Sequence, residues 1–149
     1  ARANGMTHVA GCTGSTSETV VQNLHGLTEH AMLDMGDFSG GLLKYIAKNP
    51  VPRLTIGGGI GKIVKLAQGA VDLHSSRSQV DFNALNQWCN VDVSDANTAL
   101  EAVERAGDDL AVRVAQEAKK RVLLQLKNAN IQVDIVVIDR AGRILGQAE

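Results

Sequence analysis

The chain is poor in aromatic residues, with one Trp, one Tyr and two Phe among 149. That scarcity argues against a base-stacking platform for nucleic acid. An excess of one charge is missing too. Fifteen Lys and Arg against sixteen Asp and Glu leave a net charge of −1, so there is no overall basic surface to hold a phosphate backbone. No apolar run approaches the ~18 residues a membrane-spanning helix requires. The two cysteines, Cys12 and Cys89, are far apart, without a CxxC pair or a histidine at zinc-site spacing. They read as reduced core thiols and predict a cytoplasmic setting. No nucleic-acid partner, membrane or metal is expected. The first residues lack an initiating Met and the apolar centre of a signal peptide. Ala1-Arg2-Ala3-Asn4-Gly5 resembles the last turn of a helix closed by glycine, which predicts the C-terminal part of something longer.

What the chain has in quantity is aliphatic residues and glycine. With 44% hydrophobic residues it can bury a proper core, and neither a repeat nor a low-complexity linker divides it. One α/β domain over 1–149 is the expectation. His8-Val9-Ala10-Gly11-Cys12 reads as a short strand. Thr13-Gly14 turns into Ser15-Thr16-Ser17-Glu18, a capping box in which the Ser15 hydroxyl meets the Glu18 N–H and Glu18 reaches back. That helix carries Val20, Val21 and Leu24 and ends near Gly26. Glu29 to Met35 is a second strand. Gly36-Asp37-Phe38 opens a helix with Leu42, Leu43 and Ile46 inward, stopped by Pro50 and Pro52. Arg53 to Ile56 is the third strand. Ile60 to about Val71 is the third helix, apolar at Ile60, Ile63, Val64, Ala67 and Val71.

Further on, Asp81 caps a short helix carrying Phe82, Leu85 and Trp88. Ser94 or Asp95 caps the next, with Leu100 and Val103 inward and Gly107 at its end. From Asp108 runs a longer helix with Leu110, Val114, Ala118, Val122 and Leu126 on one face. Lys119, Lys120, Arg121 and Lys127 suit its C-terminal dipole, and its leucines offer a surface for a homo-oligomer. Val133 to Ile138 is the clearest strand. Asp139 to Arg143 is a turn, and Ile144-Leu145 pairs back antiparallel. Successive strand–loop–helix units imply right-handed crossovers and a parallel sheet. The fold class is therefore α/β: a three-layer α/β/α domain, Rossmann-like or flavodoxin-like, with a mostly parallel sheet of about four to five strands. Ligands in such sheets bind at the carboxyl ends of the strands. The loops Thr13–Ser17, Gly36–Ser39 and Gly57–Gly61 should share that edge.

The stretch Arg53-Leu54-Thr55-Ile56-Gly57-Gly58-Gly59-Ile60-Gly61-Lys62-Ile63-Val64-Lys65-Leu66 carries the strongest functional signal. Glycine admits close approach of a ligand to the backbone, and the helix after it offers unpaired N–H groups to an anion. A P-loop would need Gly at Ile56 and Ser or Thr at Ile63, and the dinucleotide fingerprint would need Gly at Lys62. What remains, Gly57-x-Gly59-x-Gly61, fits a ligand loop or a tight strand-to-helix turn that uses two of the glycines. Thr13 to Glu18 can hold an anion or merely cap a helix. Asp34 and Asp37 bracket Gly36, where a carboxylate can accept from ribose hydroxyls or cap its own helix. His74 is a candidate general base or a loop residue bound to backbone. Lys62, Lys65, Arg77 and Arg53 are candidates for a local cationic patch.

Gly58-Gly59-Ile60-Gly61-Lys62-Ile63-Val64-Lys65-Leu66-Ala67-Gln68-Gly69, followed by Asp72-Leu73-His74-Ser75, resembles the CbiD family. These are the cobalt-precorrin-5B C(1)-methyltransferases of anaerobic cobalamin biosynthesis. Thr13-Gly14 with Ser17-Glu18, Gly36-Asp37-Phe38 with Gly40, and the Val-rich strand with Asp139 and Gly142 support the likeness. It covers nearly all of the chain but only the C-terminal portion of the family. The resemblance implies methyl transfer from S-adenosylmethionine to a ring carbon of a cobalt-corrinoid polycarboxylate, with the family's N-terminal portion as a partner. It makes His74 and Ser75 active-site candidates. Gly57, Gly58, Gly59, Gly61 and Lys62, with Thr13, Gly14, Ser17, Asp37 and Phe38, become donor-binding candidates. Leu73 departs from the family, many of whose members carry Asn or Thr there. Two other readings stay open: a non-catalytic scaffold or corrinoid-binding domain, and an unrelated α/β domain for a nucleotide or flavin.

Overall fold

Short runs of small and aliphatic residues form the strands, and apolar spacings of three and four form the helices between them. The computed structural model describes residues 6–74, 78–127 and 130–149. Five strands, β1 (His8–Cys12), β2 (Met32–Asp34), β3 (Arg53–Gly59), β4 (Gln132–Ile138) and β5 (Ile144–Ala148), form one sheet in the order β2-β1-β3-β4-β5. The first four are parallel, and β5 runs antiparallel to β4 as expected. Helix α1 (Ser15–His25) links β1 to β2, and α2 (Ser39–Lys48) links β2 to β3. Between β3 and β4 lie α3 (Ile60–Ala67), α4 (Phe82–Asn86), α5 (Ala99–Ala106) and α6 (Asp108–Leu126). The result is the expected three-layer α/β arrangement, with the strand order of flavodoxin-like folds.

Successive side chains on a strand point to opposite faces. Ala10, Cys12, Val136 and Ile138 therefore pack with Val21 of α1 on one side. Val9, Leu54, Ile56, Val133, Ile135 and Val137 join α2, α3 and α6 in the larger core on the other. The predicted stripe of α6 is buried from Leu110 to Leu126. Burial pushes the Cys12 thiol up to about 12, and Cys89 is half-buried; both are free. No helix among the described residues is long and apolar enough to cross a membrane.

Outside the Thr13–Ser17 and Gly57–Gly61 segments, three boundaries differ from expectation. Glu29–Ala31 forms a 3₁₀ turn, and only Met32–Asp34 pairs as β2. Helix α3 stops at Ala67, because Gly69 takes a left-handed φ of 96° that turns the chain away; Val71 is exposed rather than inward. Helix α5 is capped by Thr98, whose hydroxyl oxygen accepts from the Glu101 N–H at 3.0 Å. Neither Ser94 nor Asp95 caps it; the Ser94 hydroxyl donates to Asp92 at 2.6 Å instead. Asp81 caps α4 as expected, accepting from Ala84 N–H at 3.0 Å.

A polar network closes the amino-terminal rim of the sheet. Arg53 Nε donates to Asp134 Oδ2 at 2.6 Å, and the Thr55 hydroxyl donates to the same oxygen at 3.1 Å. His8 Nε2 then donates to Thr55 at 2.7 Å, and its ring meets that of His25 edge-on at 5.0 Å. Burial, reinforced by the Arg53 charge, lowers the His8 pKa below its usual 6.5. Between the folded and unfolded values the unfolded chain binds the extra proton, so stability falls as pH drops through 6.5. Melting temperature should therefore decline between about pH 7.5 and about pH 5.5, and His8→Gln should flatten that part of the decline. A packing test is sharper still. A Cβ on Gly146 would lie 2.7 Å from the α6 backbone at Ala111 and Val112. Gly146→Ala should lose at least about 2 kcal/mol in denaturant unfolding.

Candidate functional site

Because β1 to β4 are parallel, their carboxyl ends share one rim. The order of connections reverses between β1 and β3, the place where such sheets open a crevice. Strand β1 ends at Cys12 opposite Gly57, while β3 continues through Gly58 and Gly59 against Val137 and Ile138. The segment expected as a loop at Gly57–Gly61 is therefore not one. Its first three glycines are strand, held by the long ladder to β4, and Gly61 lies in the first turn of α3.

These glycines divide into two kinds. A Cβ on Gly57 would come within 2.6 Å of Val21 in α1, and one on Gly58 within 2.9 Å of Thr13 and 3.0 Å of Ile63. Packing alone explains both. A Cβ on Gly59, Gly61 or Gly14 would meet nothing within 4 Å. Gly59 (φ −63°) and Gly14 (φ −168°) have backbone angles open to any residue. Inside α3, Gly61 costs about 1 kcal/mol relative to Ala. Neither packing nor backbone geometry requires these three.

The start of α1 is also displaced from expectation. Gly14, not Ser15, holds the N-cap position. Buried Ser17 donates to the Gly14 carbonyl at 2.9 Å and accepts from its N–H at 3.2 Å. Ser17 therefore braces the Thr13–Gly14 turn, and the box expected of Ser15 and Glu18 gives way to it.

Asp37 does not cap α2. Its carboxylate pairs with Lys62 at 3.1 Å, and its carbonyl accepts from the Leu73 N–H at 2.7 Å. Beside it Phe38 is 56% exposed, with its ring edge over Gly41. The chain from Val71 to His74 is fastened across this end. The Val71 carbonyl accepts from Gly40 N–H and the Ser39 hydroxyl, and the Leu73 carbonyl from Lys62 and Lys65 at 3.2 and 3.1 Å. The Leu73 side chain is a core anchor with no exposure, which accounts for an apolar residue there. His74 follows on the surface, its N–H donating to Asp72 at 3.1 Å. Ser75 and Arg77 lie outside the described residues. Arg53 does not join the cationic patch: it starts β3, so it sits at the opposite rim with Asp134.

A cleft of about 360 Å³ opens beside α3. Gly59 to Lys62 and Lys65 form one wall, and Thr98 to Leu100 a second. Ile138, Asp139 and Arg140 form the third. The last two walls were missed from sequence. For Asp139 and Arg140 the signal existed, since a fourth parallel strand must end on the same rim. Lys65 is only 8% exposed. Burial, and then the Lys62 charge, hold its pKa below the usual lysine value.

A family model described as the C-terminal domain of CbiD matches residues 72–149. The chain belongs to the CbiD family. Curated relatives named cobalt-precorrin-5B C(1)-methyltransferase match 99% of it, with 48% identity over 158 residues in Paramagnetospirillum magneticum and 49% over 159 in Brucella ovis. The CbiD-family chain spans 44% and 43% of those two relatives. No solved structure matches.

The two kinds of glycine separate by substitution. Gly58→Ala should lose about 1–3 kcal/mol through overpacking, whereas Gly59→Ala should be near neutral and Gly61→Ala should gain up to about 1 kcal/mol. Thermal or urea unfolding of the three variants checks the division.

Proposed function

We propose that this chain is part of an enzyme that methylates carbon 1 of a cobalt-corrinoid precursor, with S-adenosylmethionine as donor. The reaction and substrate rest on the names of the relatives. The observation that carries this chain's share is the row of Gly14, Gly59 and Gly61 on the carboxyl rim, left open where nothing in the fold requires glycine. We infer that the donor lies across the β1–β3 crevice over these bare amides. On this reading Asp37 accepts from ribose hydroxyls while it pairs with Lys62, and exposed Phe38 offers the donor a flat apolar surface. The two free thiols fit a cytoplasmic enzyme, and exposed Leu124 on α6 is the surface a homo-oligomer would use.

Methyl transfer from a sulfonium is an in-line displacement. The bond from the methyl carbon to the ring carbon forms as the carbon–sulfur bond breaks. Sulfur keeps the electron pair and leaves as the neutral homocysteine thioether. No nucleophilic side chain is needed. Holding donor and ring in line supplies most of the catalysis, roughly 7–11 kcal/mol. His74, beside the Lys62–Leu73–Lys65 contact, takes a proton from the ring or orients it.

Titration calorimetry of the full-length protein with S-adenosylhomocysteine should show binding that Gly59→Val abolishes without loss of thermal stability. His74→Ala should lower turnover by about 10²-fold or more if the imidazole moves a proton. Unchanged turnover in both variants would reduce this domain to a scaffold. Co-purifying nucleotide or a yellow colour would point instead to a nucleotide or flavin domain.

A further inference from the structure

We propose that Lys65, with Lys62 beside it, is a positioning residue for methyl transfer: the two ammoniums hold the Leu73–His74 peptide plane and so fix the root of the His74 side chain relative to the donor at the start of α3. This inference deepens the function proposed above and rests on it.

A loop on the rim of a sheet is ordinarily the mobile part of a fold, and Val71 to His74 belong to no helix or strand. Yet each of their carbonyls has a partner. Val71 accepts from the Gly40 N–H and the Ser39 hydroxyl, and Asp72 from the Ser78 hydroxyl at 2.8 Å. Leu73 accepts from Lys62 and Lys65, and His74 from the Ser78 N–H at 3.0 Å. The Leu73 side chain is sunk in the core. What this fastening presents to the outside is the imidazole of His74.

At the Leu73 carbonyl the fastening exceeds what satisfaction requires. A buried carbonyl needs one donor; this one receives two, both charged and both from α3. Lys65 gives up water to reach it. The residue is 8% exposed, and burial, then the Lys62 charge, lower its pKa against the pull of the Asp37 carboxylate. A neutral donor would serve the carbonyl with less desolvation. The effect of the pair is on the next residue. A peptide bond is planar, so its oxygen and the following Cα move together. Lys62 and Lys65 hold the oxygen edge of the Leu73–His74 plane. Asp72 holds the opposite edge, accepting from the His74 N–H at 3.1 Å.

The helix that supplies both ammoniums also carries the proposed donor site. It begins at Ile60 directly after Gly59, and Gly61 lies in its first turn. Donor and imidazole are therefore referred to one element. A misplacement of about 1 Å can slow a reaction by about 10²-fold, and reacting groups depend on neighbours that lock their place.

The test is a double-substitution cycle in the full-length protein, with cobalt-precorrin-5B and S-adenosylmethionine as substrates. Lys65→Met keeps the apolar stem and removes the charge. Alone, it should lower kcat by roughly tenfold or more, with the affinity and stoichiometry of S-adenosylhomocysteine binding unchanged by calorimetry. In the His74→Ala background it should lower kcat no further, because a residue that acts through His74 has nothing left to position. An equal loss in both backgrounds would make Lys65 an independent structural residue and overturn the proposal. Unchanged turnover in His74→Ala would overturn it too. The tether itself is read without turnover, from the imidazole NMR signals of histidine-labelled protein, with His74 assigned by its loss in His74→Ala. Lys65→Met and Lys62→Met should each move or broaden that signal and leave those of His8 and His25, at the opposite rim, in place. Lys62 is half-buried, so its variant keeps the test alive should Lys65→Met fold poorly. A His74 signal indifferent to both substitutions would overturn the proposal. A signal that responds, in a protein that neither methylates nor binds the donor product, would sink the methyltransferase reading and leave the tether standing.

Discussion

The carboxyl end of β3 is held from both sides because it has no side chains there. Val21 of α1 presses on Gly57 from one face, and Ile63 of α3 presses on Gly58 from the other, each within 3.0 Å of where a Cβ would stand. That double contact lets the strand pass into α3 without a connecting loop: Gly59 ends β3 and Ile60 begins the helix. A helix launched directly from a central strand has a fixed rotation about its axis. Lys62 and Lys65, three residues apart on one face, therefore reach the same Leu73 carbonyl. Through Asp37 the same contact ties in the end of β2. The geometry of the whole rim follows from those two missing side chains.

Much of the fold was legible because hydrophobic period is a local property. The α6 stripe, the Val-rich β4 and the Asp81 cap all declare themselves within a few residues. Gly57 to Gly59 did not, because glycine is a poor strand former on its own. Val136 to Ile138, far along the sequence, make it a strand. The caps failed for a different reason. Ser15, Thr16 and Ser17 are equally able to bond a helix start, and the extended backbone at Gly14 decides that Ser17 does. Thr98 and Glu101 carry the same Ser/Thr-x-x-Glu spacing as Ser15 and Glu18, so the α5 cap is legible in the sequence just beyond Ser94 and Asp95.

The site was legible as a rim and not as a set of contacts. Parallel strands with glycine and hydroxyl residues after them foretell where a ligand lies. They say nothing of the Asp37–Lys62 pair, whose partners sit on different strand–helix units, nor of Thr98, which arrives from α5. Two of the four glycines proved to be packing residues, the other two open. Sequence cannot make that distinction, since it depends on what stands 3 Å away in another helix.

The sharpest case is arginine. Arg53 and Arg140 read alike in sequence, and the first was grouped with Lys62 and Lys65. In the fold they lie at opposite ends of parallel strands. Arg53 is spent on Asp134, in a network that gives β1, β3 and β4 a common polar brace. Arg140 is exposed at the edge of the cleft, and Lys65 donates to the Leu73 carbonyl on that same rim. Among the described residues the amino rim leaves one carboxylate oxygen, Asp134 Oδ1, unpaired in a closed interior, whereas the carboxyl rim opens as a cleft bordered by Lys62, Lys65 and Arg140. The first arrangement can only hold strands together. The second leaves room for a ligand at the ends of the parallel strands.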